Sequence, residues 1–135
     1  MYTFRRILYY LRSLFTLLTG IRNRGALISL LRGRGPVILE LSDGSRYHVK
    51  TLMDAWIVKE TVLDRDYERH GTPLRDGWAV LDVGAASGDF AVFAGRRTPR
   101  GRVIAYEPAP DSVATLRKNV AENGLRNVEV RPVAV

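Results

Sequence analysis

The sequence predicts an α/β protein built on a parallel sheet, and three observations predict it. From residue 78 onward, short apolar runs alternate with amphipathic helical stretches: strands at 79–84, 102–107 and 128–135, helices at 88–97 and 111–123. Strands alternating with helices imply crossover connections and parallel pairing. The turn after the first strand holds two glycines, Gly84 and Gly88. Each of the first two strands also carries one acid near its carboxyl end, Asp82 and Glu107, at the rim where open α/β sheets bind ligands.

Composition bounds the rest. A chain of 135 residues, 46% of them apolar, suits one domain with a small N-terminal addition and excludes wholesale disorder. The absence of cysteine excludes disulfides and thiolate metal sites and agrees with a cytoplasmic location. The net charge of +7 has one source: residues 1–35 hold seven arginines and no acid, whereas residues 36–135 hold fourteen bases and fourteen acids. A neutral body argues against a nucleic-acid partner.

Three segments follow in order. Residues 1–35 are a basic amphipathic helical segment. With residues 5–18 read as a helix, Ile7, Leu8, Leu11, Leu14, Phe15 and Leu18 share one face; Arg5, Tyr9, Arg12 and Thr16 lie opposite. The apolar run, interrupted by Arg12, is too short to span a bilayer, and Gly20-Ile21-Arg22-Asn23-Arg24 is no cleavage site. Two readings stay open: the apolar face packs on the protein's own core or on the remainder of the protein, or it makes a peripheral contact with an anionic membrane.

Residues 36–77 are a β-hairpin with a helical lead-in. Leu39 and Leu41 alternate with Glu40 and Ser42, Asp43-Gly44 supplies the turn, and Tyr47 and Val49 alternate with Arg46, His48 and Lys50. A helix is predicted over 51–69, starting near Thr51 or Asp54, with Leu52, Trp56, Leu63 and Tyr67 on one stripe. In residues 78–135, Asn123-Gly124 closes the second helix of the strand–helix alternation. Gly84 lets the chain turn off its strand and Gly88 lets backbone approach a ligand closely. Asp82 lies inside an apolar strand, where an unpaired charge is costly, so it needs a partner: a cationic ligand or backbone donors.

Several motifs together carry a resemblance. Asp82-Val83-Gly84-Ala85-Ala86-Ser87-Gly88-Asp89-Phe90, then Arg102-Val103-Ile104-Ala105-Tyr106-Glu107-Pro108, then Asn119 through Asn123-Gly124-Leu125-Arg126-Asn127-Val128 resemble the FkbM-type S-adenosylmethionine-dependent methyltransferases. Lys59-Glu60, Arg65-Asp66-Tyr67 and Gly71 resemble that family's lead-in, so the likeness covers about residues 37–135. It implies a Rossmann-like class I methyltransferase fold, with the first three parallel strands present after N-terminal helices and a hairpin. It also implies S-adenosyl-L-methionine as cofactor and methyl transfer to a hydroxyl oxygen of a small molecule, a sugar, polyketide or similar metabolite.

The cofactor-binding set so implied is Asp82, Gly84, Ala85, Gly88, Glu107 and Pro108. Gly84 and Gly88 would line the methionine and ribose part by backbone. Asp82 would hold the loop or the methionine amino group, and Glu107 the ribose hydroxyls. Ala86 departs from the pattern, standing where many methyltransferases have glycine and this family often has asparagine. The family's pattern continues past the third strand. The chain is therefore expected to be an incomplete portion, inactive alone, with an unpaired apolar edge at residues 79–84.

Other residues have plainer expected roles. Asp89 suits a helix start, His48 a solvated strand position and His70 a helix end. Trp56 and Trp78 are expected in the core, and Arg96, Arg97, Arg100 and Arg102 on a solvated face. Asp66-Tyr67 is a candidate for the pocket's edge, and no group of residues has metal-ligand spacing. Two other classes stay open. A nicotinamide-dependent oxidoreductase would use the same unit, although the third glycine is missing and Asp82 is out of place. A non-catalytic truncated product would bind a membrane or a partner through its N-terminus.

Overall fold

The computed structural model describes residues 2–135, and of Tyr2, Thr3 and Arg5 the backbone alone. The placing of the Arg5 side chain opposite the apolar face therefore lies outside the described residues. Two helices, α1 (Tyr2–Gly20) and α2 (Gly25–Leu31), lead into an antiparallel hairpin of β1 (Val37–Glu40) and β2 (Arg46–Val49). The hairpin turns at Asp43-Gly44, where the Ser45 N–H donates to Asp43 Oδ1 at 2.9 Å and Gly44 takes φ 83°. Its alternation turns Leu39, Tyr47 and Val49 inward, all buried.

The single helix predicted over 51–69 is found in three pieces. α3 (Leu52–Val58) begins at Thr51 with a capping box: the Asp54 N–H donates to Thr51 Oγ1 at 3.2 Å, and the Thr51 N–H to Asp54 Oδ2 at 2.9 Å. The helix then widens into a π-helical turn at Lys59–Leu63. It stops at Arg65, left-handed at φ 55°, before the short α4 (Asp66–His70). The extra residue of the π turn shifts the phase, so the expected stripe does not form. Leu52 and Tyr67 are exposed, while Ala55, Val58 and Val62 face the core.

β3 (Ala79–Val83), α5 (Asp89–Arg97), β4 (Arg102–Tyr106), α6 (Pro110–Glu122) and β5 (Val128–Arg131) complete the chain. The three strands pair in parallel in the order β3-β4-β5, with Val83 beside Tyr106 and Tyr106 beside Arg131. This is the Rossmann-like arrangement the sequence predicts. β5 ends at Arg131 rather than at 135, because Pro132 has no N–H to continue a ladder. α6 ends in a Schellman motif: the Gly124 N–H donates to the Ala121 carbonyl at 2.9 Å and the Leu125 N–H to the Val120 carbonyl at 3.2 Å.

One face of the sheet packs on α5, burying Val103 and Ala105 against Ala91, Val92 and Ala94 in a core continuous with the hairpin and α3. The other face is open. Leu81 and Val83 stand 66% and 62% exposed there, and β3 forms the sheet's edge. Trp78, expected in the core, is 38% exposed because it precedes this uncovered strand; Arg75 lies over its ring. Trp56 is partly buried against Lys59, at 4.5 Å from its ring, rather than in the apolar core.

Candidate functional site

The chain leaves β3 through a loop with three residues at positive φ: Gly84 (79°), Ala86 (45°) and Gly88 (86°). Glycine adopts this backbone freely, whereas alanine holds it at a cost of about 1 kcal/mol. The N–H groups of Gly84 and Ala85 both donate to the Tyr106 carbonyl at 2.9 Å, folding the loop over the carboxyl ends of β3 and β4. The two glycines meet different surroundings. A Cβ on Gly88 would fall 2.2 Å from Leu116 Cδ1, so α6 packs directly there. A Cβ on Gly84 would meet nothing within 4 Å.

Glu107 ties this loop to the next one. It is buried, and its two carboxylate oxygens accept from the Ala86 N–H and the Ala109 N–H, each at 2.8 Å. A carboxylate has about four acceptor directions, so two are left for other donors. Pro108 is exposed on the rim beside it. Asp82 has no such partners: its Oδ2 is buried and accepts no hydrogen bond among the described residues. Burial pushes its carboxyl up to about 6, helped by the negative charges of Asp89 and Glu107. Asp82, Gly84, Ala85 and Glu107 thus come together at one rim, while Gly88 sits where that rim meets α6.

Asp89 does more than start α5. It is buried, and the Thr61 hydroxyl donates to its Oδ2 at 2.6 Å. Burial raises its pKa against the opposing pull of that hydrogen bond. Tyr67 stacks on Phe90 with ring centroids 4.6 Å apart. Burial, then the charges of Asp89 and Asp82, raise the pKa of its phenol, which places it at the same acidic group.

A cleft of about 210 Å³ opens beside the loop, bounded by Ser87, Asp89 and Asp111 and by His48, Lys50 and Asp54 from the hairpin and α3. His48 is therefore not a freely solvated strand residue: its N–H donates to Asn119 Oδ1 at 2.6 Å and its Nε2 lies 3.5 Å from Glu122. His70 sits exposed at the end of α4, its Nδ1 3.1 Å from the Asp66 carbonyl. A larger cleft of about 950 Å³ lies away from this loop, by the carboxyl end of α5 and the turn before β5. Its arginines are engaged: Arg96 donates to the Asp43 carbonyl and Arg97 to Glu68. Arg100 pairs with Asp76 and Arg102 with Glu129, as a solvated basic face would.

Sequence reading did not single out Thr61, Lys50 or the part played by Asn119. Thr61 lies in a π turn that leaves no local signal. Asn119 is part of the segment that carries the family likeness, and that likeness was its one available sign.

No family model matches the chain. It is 41% identical over 86 residues to the 31-O-demethyl-FK506 methyltransferase FkbM of Streptomyces tacrolimicus, covering 63% of this chain and 33% of that protein. The chain resembles the FkbM-type methyltransferases. It is also 30% identical over 88 residues to the methyltransferase sdnD of Sordaria araneosa, covering 65% of this chain and 33% of the relative. Among solved structures, an RNA methyltransferase from Salinibacter ruber in complex with S-adenosyl-L-homocysteine overlays 53% of this chain and 45% of its own, at 29% identity and TM-score 0.46. The chain spans about a third of the length of the FkbM-type and sdnD relatives.

Proposed function

We propose that this chain forms the donor-binding part of an S-adenosylmethionine-dependent methyltransferase that methylates a hydroxyl oxygen of a sugar, polyketide or similar small metabolite. One observation carries the reading. Asp82 Oδ2 is buried without a donor, next to the further negative charges of Asp89 and Glu107. Such a group suits a ligand bearing positive charge or several hydroxyl and amino donors. S-adenosylmethionine has both, and when bound it supplies a methyl group on a sulfonium, open to in-line displacement.

The residues divide the work by chemistry. Asp82 would meet the donor's ammonium group or brace the loop through a shared donor. Glu107 would accept from the ribose hydroxyls with the lone pairs left free by Ala86 and Ala109. The open side of Gly84 and the backbone of Ala85 would border the ligand, and Pro108 would flank it. Gly88 would act one step back, by letting α6 close against the loop. Tyr67 and Lys50 reach the same neighbourhood from outside the sheet and are candidates for positioning a ligand. The support for the acceptor class is the likeness to the FkbM-type relative. The open sheet face at Leu81 and Val83 supports a further reading: residues 1–135 alone do not turn the donor over.

Isothermal titration of S-adenosylmethionine into the protein expressed from its complete gene tests the proposal. Binding that weakens at least about tenfold in Asp82→Asn and in Glu107→Ala is expected. Absence of binding by the parent, or equal binding by both variants, would overturn it.

A further inference from the structure

α1 is attached to the rest of the molecule by the wrong stripe for an ordinary globular helix. Such a helix turns its apolar residues inward and its polar ones to water. Here the inward stripe is Ser13, Thr16, Leu17 and Gly20, at the spacing i, i+3, i+4, i+7. A Cβ on Gly20 would fall 2.4 Å from Leu63, so the helix end lies directly against the π turn. Ser13 is buried and accepts from Lys59 Nζ at 2.7 Å; the same ammonium lies 2.6 Å from Asp64. One turn earlier, the Tyr9 hydroxyl donates to Glu60 Oε1 at 2.6 Å, and Trp56 Nε1–H donates to the same oxygen at 2.8 Å.

These contacts fix how the helix is rotated. At about 100° per residue, Ile7, Leu8, Leu11, Leu14, Phe15 and Leu18 fall on the side away from Ser13 and Gly20. All six are 44–67% exposed, and Phe4 on the same side is 71% exposed. Arg6 and Arg12 are exposed on the two flanks of this stripe. Arg22, Arg24, Arg32 and Arg34 are exposed in the segment that follows, and none of these six arginines forms an ion pair among the described residues.

We propose that α1 is an in-plane anchor that seats the protein on an anionic lipid surface. A held apolar stripe with arginines on its flanks matches the boundary between acyl chains and acidic headgroups. The helix lies in the surface rather than through it, since no helix among the described residues is long and apolar enough to cross a membrane. Charge decides against a second copy as the occupant. A twofold contact would bring two acid-free, arginine-bearing segments face to face.

The test is co-sedimentation of the protein, expressed from its complete gene, with phosphatidylglycerol-containing vesicles and with pure phosphatidylcholine vesicles. Retention is expected on the anionic vesicles, falling with added salt, and at least about tenfold weaker in a Leu11→Gln/Phe15→Gln variant. Both side chains are exposed, so the variant should melt with the parent. If it does not, Ile7→Gln/Leu14→Gln gives the same readout from the same stripe. No retention of the parent overturns the proposal and means that protein covers the stripe. Equal retention of the variants overturns it too. Sedimentation without vesicles that the variants abolish overturns it in favour of self-association.

Discussion

The side-chain amide of Asn119 donates to the Ser87 carbonyl at 2.8 Å while its oxygen accepts from the His48 N–H at 2.6 Å. One buried side chain on α6 thus fastens the hairpin to the loop after β3. Asn123, one turn on, repeats the device on the backbone of Arg46, accepting from its N–H at 3.0 Å and donating to its carbonyl at 2.7 Å. The hairpin borders the small cleft because two asparagines hold it there.

Asn119→Ala removes both bonds and leaves a strand N–H and a loop carbonyl without partners. The expected cost is about 1–3 kcal/mol of stability, read from a denaturant melt. Asn119→Asp keeps the acceptor for His48 and should lose less. Equal losses in both variants would show that the Ser87 contact, not the His48 contact, matters.

Ala86 holds φ 45° without being glycine. Ala86→Gly relieves that backbone at some cost in unfolded-chain entropy, so a net gain of about 0.5 kcal/mol is expected. Ala86→Val should lose more than about 1 kcal/mol, since β-branching disfavours this conformation further. Thermal melts of the two variants check the opposite signs.

Asp82 makes stability depend on pH in a particular direction. Its folded-state pKa of about 6 lies above the ordinary value of 3.8, so the folded state holds the proton more tightly than the unfolded chain. Its contribution is therefore full below the ordinary value and is lost as pH rises through about 6. Asp89 is shifted the same way. Asp82→Asn should flatten this part of the profile and raise stability at neutral pH by up to about 3 kcal/mol. The same variant should bind S-adenosylmethionine less well, and denaturant melts at pH 4.5 and 7 check the stability arm.

Lys59 is buried at 1% exposure between Ser13 and Asp64. Lys59→Met leaves Asp64 without its cation and Ser13 without its donor, at an expected cost of about 3–5 kcal/mol. α1 should then loosen first, so limited trypsin digestion should cut at Arg12 faster than in the parent.

Legibility followed how local each cause is. The parallel sheet was readable because apolar runs, glycines and helix caps repeat along residues 78–135, and the hairpin because Asp43-Gly44 sits between two alternating runs. The rim of Asp82 and Glu107 was readable too, because an acid near the end of an apolar strand is costly unless a donor or a cation meets it there. The break at 59–65 was not, since a π turn and a left-handed arginine come from packing rather than from propensity. The rotation of α1 was hidden for the same reason. Its hydrophobic stripe is obvious in the sequence, but the fastening rests on Lys59 and Glu60, more than forty residues away. The hairpin's attachment was legible only as family likeness, because an asparagine's partners lie far off in the chain.

The π turn at Lys59–Leu63 serves two neighbours with adjacent side chains. Lys59 and Glu60 face α1, whereas Thr61 faces Asp89 at the rim of the candidate site. An α-helix steps about 100° per residue, so deleting one residue here would restore regular geometry and rotate one half of the segment against the other. Either the helix grip or the Thr61 hydrogen bond would then be aimed at solvent. Length in this short stretch is therefore under tighter constraint than the identity of most residues in it, and a one-residue gap should do more harm than any conservative substitution.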